Sequence, residues 1–326
     1  MNVVLLAGED AVADGDAVLA QVEAALRGGG HEVATICTSR DVAGVVEQLG
    51  RAKADLVFNL VESFAGKSAL ESNVAALLNL LDLRYTGSSP TSLAIAGDKS
   101  LSKKVLAFHG VRTPEFATLY RGTTDWSDDL AFPLIVKPPQ EDGSVGITGR
   151  SVVHDVKELL DTIGAVHTEF RQPVLVERFI EGREFYVGVL GNETAEALPV
   201  MELDYTGFPE GRPKLATWNA KWGEAGDRSG GEYAGTASVF PTDLGADLEK
   251  RMRDVAVEAF HALRLRDYGR VDLRVTGDGE VYVIEVNPNC YLEREAEFAR
   301  AAERAGYGFD ELVARIVELA SARYAR

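Results

Sequence analysis

The first ninety or so residues alternate short β-rich runs with helical patterns: NVVLLA, AVLAQVEAALRGGG, HEVATIC, DVAGVVEQLG, DLVFNL and ALESNVAALLNLLD. This alternation leaves few architectures open. A strand that re-enters a sheet in the same direction needs a crossover of a dozen or more residues, and a helix is its usual form. Residues 1–96 are therefore expected to form an N-terminal doubly wound parallel-sheet domain of α/β class. Ligands of such sheets sit beyond the carboxyl ends of the strands. Two segments leave strands in that direction, AGEDAVADGD after the first and NLVESFAG after the third.

The texture changes near Gly97. DKSLSKKVLAFHG reads as a basic helix, and FATLY, PLIVKPP, ITGRSVV, a helix over about 155–169 and VLVERFI follow closely, which predicts a small α+β unit over 97–182. A larger α+β unit is expected over 183–326, with EFYVGVLG, EALPVMEL, YGRVDLRV and VYVIEVN as strands. Within it, residues of about 204–240 are rich in Gly and charge and lack periodicity. Loops of that length in compact domains are functional lids or disordered insertions, and both readings stay open. Trp218 and Trp222 in this stretch fit either stacking on a substrate or anchoring the loop.

Charge narrows the function. Lys and Arg number 34 against 51 Asp and Glu, a net charge of −17, which repels nucleic-acid backbones and anionic membrane surfaces. The start, MNVVLLAGEDAVADGD, shows no basic leader and no long apolar run, so a cytoplasmic protein is expected. Cys37 and Cys290 are too few for a disulfide framework or a cysteine zinc site. Cys290 is read as a small buried thiol, with a nucleophile as the alternative.

YGRVDLRV and VYVIEVN are separated by TGDGE, and Asp278-Gly279 is a strong signal for a two-residue hairpin turn. That turn would set Asp272 opposite Glu285 and Arg270 opposite Asn287 on one face, with Tyr282, Ile284 and Val286 on the apolar core face. Facing carboxylates repel, so a cation is expected between them. Arg270 is one candidate. Two acids and an amide oxygen also make an all-oxygen site suited to Mg²⁺, and an ordinary solvated polar face is the remaining reading.

FPLIVKPPQEDGSVGIT is an apolar strand ending in Lys137 followed by a turn bearing Gly143, Gly146 and Gly149. It matches neither the P-loop nor the dinucleotide fingerprint. Glycines still allow backbone N–H groups to approach phosphate, and a lysine on an apolar strand needs an anion. A plain hairpin turn is the alternative, as a surface charge is for Lys99.

In order along the chain, YTGSSPTSLAIAGDKSLSKKVL, FPLIVKPPQEDGSVGI, VLVERFIEGREFYVGVL, GRVDLRV and VYVIEVNPN resemble the ATP-grasp superfamily, and within it the D-alanine–D-alanine ligase-like branch. The resemblance implies an ATP-grasp fold behind the N-terminal domain. It implies that Lys99 and Lys137 contact ATP phosphates, with Glu141, Gly143 and Ser144 in the loop over them. Glu177 would lie at the adenine edge near Phe179 and Ile180, and Glu184 would take the ribose hydroxyls. Asp272, Glu285 and Asn287 match ligands of Mg²⁺, two ions in all. Arg270 matches the arginine that steadies the reacting carbonyl and phosphate, and Lys221 a lysine on the mobile loop. The implied activity is an ATP-dependent ligation of a small-molecule carboxylate to an amine through an acylphosphate, and a homodimer is implied as well.

Two segments depart from that pattern. AGEDAVADGD, with acids at Glu9, Asp10, Asp14 and Asp16, lacks the glycine-rich turn that holds the first substrate's ammonium in dipeptide-forming members. Glu62 in NLVESFAG remains a candidate there, a solvated or helix-capping acid being the other reading. After Asn287 the family's small, hydroxyl-bearing cradle for a carboxylate is replaced by Pro288, Asn289, Cys290, Tyr291, Leu292, Glu293, Arg294 and Glu295. Arg294 is a candidate clamp for a carboxylate, and Glu293 or Glu295 for a cationic amine. The expected product is therefore something other than D-alanyl-D-alanine. The alternatives are a true D-alanine–D-alanine ligase and a nucleotide-binding regulatory protein without turnover.

Overall fold

The computed structural model describes residues 1–9, 17–120, 123–125, 130–206, 208, 213–217 and 236–325. Its first sheet is parallel and three-stranded, ordered β2-β1-β3, from β1 (Asn2–Ala7), β2 (Glu32–Cys37) and β3 (Leu56–Asn59). Helices α1 (Ala17–Gly28) and α2 (Val42–Ala52) make the crossovers, and α3 (Glu71–Leu80) follows β3. Strand alternation divides β1 between two cores. Val3 and Leu5 join the cluster that holds α1 and the C-terminal helix, whereas Val4 and Leu6 pack with Val45, Leu49 and Leu78. Burial on both faces explains the unbroken apolar run of this strand.

After α4 (Pro90–Ala96) and α5 (Lys99–Phe108) comes an antiparallel sheet ordered β5-β4-β8-β6-β7. It comprises β4 (Phe116–Tyr120), β5 (Thr123–Asp125), β6 (Leu134–Lys137), β7 (Val152–Val153) and β8 (Val174–Arg178). Helix α6 (Val156–Phe170) lays Leu159, Ile163 and Val166, spaced i, i+4, i+7, against Leu134, Val136, Val174 and Val176. The alternate residues Ile135, Lys137 and Glu177 are left to face the other way, toward a cleft.

The third sheet has the order β12-β11-β9-β13-β14, with β10 also on β9. Its strands are β9 (Arg183–Gly191), β10 (Ala195–Ala197), β11 (Met201–Asp204), β12 (Ala237–Val239), β13 (Asp267–Val275) and β14 (Val281–Asn287). Helix α7 (Ala246–Ala262) covers one face through Met252, Ala256, Ala259 and Phe260, which meet Phe185, Val187, Val271 and Leu273. Helices α8 (Glu297–Arg304) and α9 (Phe309–Tyr324) pack into the cluster shared with β1 and α1.

The β13–β14 hairpin pairs Arg270 with Asn287 and Asp272 with Glu285, as the sequence suggested, but by a different route. Thr276 N donates to Glu280 O, and Gly279, at φ 84, donates to Thr276 O, so the loop spans three residues rather than two. That shifts the register by one, and Leu273 pairs with Val283. An irregularity beyond Asp272 inserts Ile284 as an extra residue and shifts it back. The expected core face of Tyr282, Ile284 and Val286 is accordingly corrected. Val281, Val283 and Val286 enter the core, Ile284 turns to the cleft, and the Tyr282 hydroxyl accepts from Arg178 at 2.7 Å.

Candidate active site

Lys99 opens α5, whose N-cap Asp98 accepts from Leu101 N at 3.0 Å and from the Gln140 side chain at 3.1 Å. Lys99 N also donates to Pro139 O, so the loop after β6 is fastened to this helix start. The Lys99 ammonium lies 2.7 Å from Glu285, donates to Glu141 O at 2.6 Å and stands 3.4 Å from Asp142. Burial alone would lower its pKa, but Glu285 and Asp142 together raise it, so the amine stays charged. Gly143 and Gly146 adopt positive φ in this loop. A Cβ on Gly146 would stand 2.7 Å from Phe170 and 2.9 Å from Pro138, so the loop's close seat on the sheet requires glycine there.

Lys137 ends β6 and lies 2.9 Å from Glu177 of β8, a carboxylate only 1% exposed. A second lysine, Lys103, reaches the same oxygen at 3.3 Å and donates to Thr113 at 2.9 Å. Sequence reasoning passed over Lys103, although it stands one helical turn after Lys99 and so on the same face. Burial lowers its pKa to about 8; Lys137 adds to this and Glu177 opposes it.

Glu184 begins β9 beneath the same cleft. One of its oxygens accepts from Arg274 at 2.8 Å and from Tyr205 at 2.9 Å, and the other from Tyr186 at 3.2 Å. Arg274 further donates to Lys214 O at 2.6 Å and lies over the Phe179 ring. Burial pulls the Arg274 pKa down, and Glu184 more than restores it. Arg274 too went unread, though the period of two on β13 puts Arg270, Asp272 and Arg274 on one face. Phe179, Ile180, Leu215, Ala216 and Ile284 supply the apolar wall of this narrow cleft of about 60 Å³, which also takes in Ser144.

A larger cleft of about 550 Å³ adjoins it, with Glu285 lining both. Arg270 clamps Asp272 with two bonds, of 2.7 and 3.0 Å, and reaches Glu297 at 3.5 Å. Burial disfavours the Arg270 charge, and Asp272 more than offsets this. Asn287 lines the larger cleft, and its Nδ2 is buried without a hydrogen-bond partner among the described residues. Glu62, Gly143, Cys290, Tyr291 and Glu293 also line it. Burial pushes the Cys290 thiol up, and it packs in the core as a neutral group. Asn289, unassigned from sequence, donates to Val61 O and to Glu71, each at 3.0 Å, and accepts from Tyr268 at 2.6 Å.

Not every expected residue converges. Arg294 is exposed; its guanidinium lies over the Phe309 ring and 3.7 Å from Asp310, and it does not line the cleft. The Glu141 side chain accepts from Gln172 at 2.9 Å, and only its carbonyl meets Lys99. Lys221, with Trp218 and Trp222, lies outside the described residues.

This arrangement of clefts between two antiparallel sheets, behind a parallel N-terminal sheet, is that of the ATP-grasp enzymes. The sequence model described as "D-ala D-ala ligase C-terminus" matches residues 103–318. The chain is 34% identical over 305 residues to the D-alanine–D-alanine ligase of Syntrophotalea carbinolica, covering 93% of this chain and 90% of that one. It is also 34% identical over 309 residues to protein y4sG of Sinorhizobium fredii, covering 93% and 87%. The D-alanine–D-alanine ligase of Bacillus anthracis, solved in complex with ATP, shares the fold with a TM-score of 0.76 at 24% identity, covering 99% of this chain and 98% of that one. The chain belongs to the D-alanine–D-alanine ligase family and is an ATP-grasp carbon–nitrogen ligase.

Proposed function

We propose that the protein activates a small carboxylate with ATP and joins it to an amine, releasing ADP and phosphate. The observation that carries this reading is Glu285, whose carboxylate lines both clefts and sits 2.7 Å from Lys99. A nucleotide in the narrow cleft would present its terminal phosphate where the larger cleft begins. There a substrate carboxylate attacks the γ-phosphate to give an acylphosphate, and amine attack on its carbonyl carbon expels phosphate. Lys99 and Lys137 carry the positive charge that the phosphates need, and Arg270 is placed to steady the developing oxyanion. In this structure both lysines are matched by carboxylates, so nucleotide binding exchanges Glu285 and Glu177 for phosphate oxygens.

Asp272, Glu285 and Asn287 would hold Mg²⁺. Among the described residues no three His, Cys, Asp or Glu side chains cluster as a metal site; the third donor of this set would be the amide oxygen of Asn287. The fit is chemical: two carboxylates and an amide oxygen on rigid paired strands, with both acids already held against cations. When bound, the ion supplies further neutralisation of phosphate charge.

D-alanyl-D-alanine is the second reading for the product, favoured by the relatives named for that activity. The altered segment after Asn287 argues for another amine. We further propose the functional units 1–96, 97–182 and 183–326, the stretch 204–240 as the lid over the acylphosphate with Lys221 on it, a homodimeric assembly and a cytoplasmic location. No helix among the described residues is long and apolar enough to cross a membrane. The test is ADP release with Mg²⁺·ATP and a panel of D- and L-amino acids, amines and diacids. Substrate-stimulated release is expected; ATP binding without any stimulated release would replace the ligase reading by that of a nucleotide-binding regulator.

A further inference from the structure

The larger cleft is lined mostly by acids among its charged residues. Glu62, Glu71, Glu293, Glu295 and Glu297 line it in addition to Asp142 and Glu285, and Arg270 is the one cation among its described lining residues. That arginine is engaged by Asp272 and Glu297. Arg294, the cation of the segment after Asn287, faces Phe309 and Asp310 instead. A substrate carboxylate at this end would meet glutamates and no uncommitted cation among the described residues.

Of these, Glu285 faces Lys99 and Glu297 faces Arg270, whereas Glu71 and Glu293 are held by neutral donors. Gln21 of α1 donates to Glu293 at 2.8 Å, and Glu295 N donates to its other oxygen at 2.7 Å. Gln21 also accepts from Arg294 N at 2.9 Å, which fixes the segment against the N-terminal unit. A separate observation points to a ligand. Glu71 is 8% exposed yet lines the cleft, and its carboxyl accepts from the neutral amide of Asn289. Burial, with Asp142 and Glu62 adding to it, pushes the Glu71 carboxyl well up, against the effect of Asn289. A carboxyl carried into a cleft wall at such cost is relieved by a cation.

We propose that the acceptor is an amine carrying a second cationic group and no carboxylate, the class of aliphatic diamines, bound between Glu71 on one side and Glu293 and Glu295 on the other. This rests on the ligase reading and specifies its second substrate. One ammonium is held by the glutamates while the other end, as the neutral amine, attacks the acylphosphate carbon. The carbon–nitrogen bond forms as the carbon–oxygen bond to phosphate breaks, and the nitrogen's remaining surplus proton leaves to solvent or the departing phosphate.

The test separates the two readings. Hydroxylamine, which intercepts acylphosphates whatever the natural acceptor, is first used with Mg²⁺·ATP and a carboxylate panel to find the donor. With that donor, kcat/KM is compared for 1,4-diaminobutane, propylamine and D-alanine. The diamine is expected to exceed both by at least ten-fold, and Glu295→Gln and Glu71→Gln are each expected to shrink that ratio. A D-alanine or propylamine value equal to or above that of the diamine overturns the inference with the ligase reading intact. Ratios unchanged in both variants also overturn it. Absence of any hydroxamate with every carboxylate removes the ligase reading and this inference with it.

Discussion

Replacing Arg274 by Met tests the buried network beneath the nucleotide cleft. The wild-type guanidinium and the Glu184 carboxylate are both 4% exposed in their side chains and 2.8 Å apart, and the arginine also serves Lys214 O. Methionine keeps much of the length but leaves Glu184 buried against the phenols of Tyr186 and Tyr205 with its guanidinium partner removed. Removing one partner of a buried pair costs about 3–5 kcal/mol, because the remaining charge stays uncompensated. Adding Glu184→Gln removes that charge, so the double variant should recover part of the loss, with a coupling energy of about 1.5–3 kcal/mol. Urea denaturation followed by far-UV circular dichroism on the wild type, both single variants and the double variant yields these values. A loss below about 1 kcal/mol for Arg274→Met, or single losses that simply add, would refute the account of Glu184 as a buried charge held by Arg274.

Three further outcomes are expected. Asp272→Asn and Glu285→Gln should each lower ADP release by on the order of 10²-fold or more with circular dichroism unchanged, as loss of a charge-stabilising group requires; retained turnover would remove both from the proposed Mg²⁺ face. Lys103, lowered to about 8 by burial, sheds its proton in the folded state while the unfolded chain keeps it up to the ordinary value of 10.5. Stability relative to Lys103→Met should therefore be flat below pH 8 and rise between pH 8 and 10.5, by a total on the order of 3 kcal/mol. A flat difference in urea midpoints across that window would contradict the lowered pKa. Gly188→Ala places a Cβ 2.8 Å from Leu198 and 2.9 Å from Phe298, and overpacking there should cost about 1–3 kcal/mol, read by the same unfolding assay.

The hairpin shows how far the sequence could be read. Asp272 does face Glu285, but the deduction assumed a two-residue turn, and the actual three-residue loop alone would have broken it. The extra residue at Ile284 restores the pairing, and nothing in VYVIEVN announces that insertion, because a bulge is fixed by how the strand packs against its neighbours. Lys103 and Arg274 were legible by period alone, one helical turn from Lys99 and two residues from Asp272. They were missed because their partners, Glu177 and Glu184, lie far away in the chain.

Local periodicity by itself determined the parallel N-terminal unit, the strands that bear Lys137, Asp272 and Glu285, and the order of motifs that marks the family. These are properties of neighbouring residues and survive without knowledge of the fold. Tertiary structure alone decided the charge partners: Glu285 against Lys99, Arg270 turned onto Asp272, Arg294 turned away, and Glu71 brought to the cleft wall. An electrostatic environment is set by distance and burial in space, and a sequence lists its charges without either.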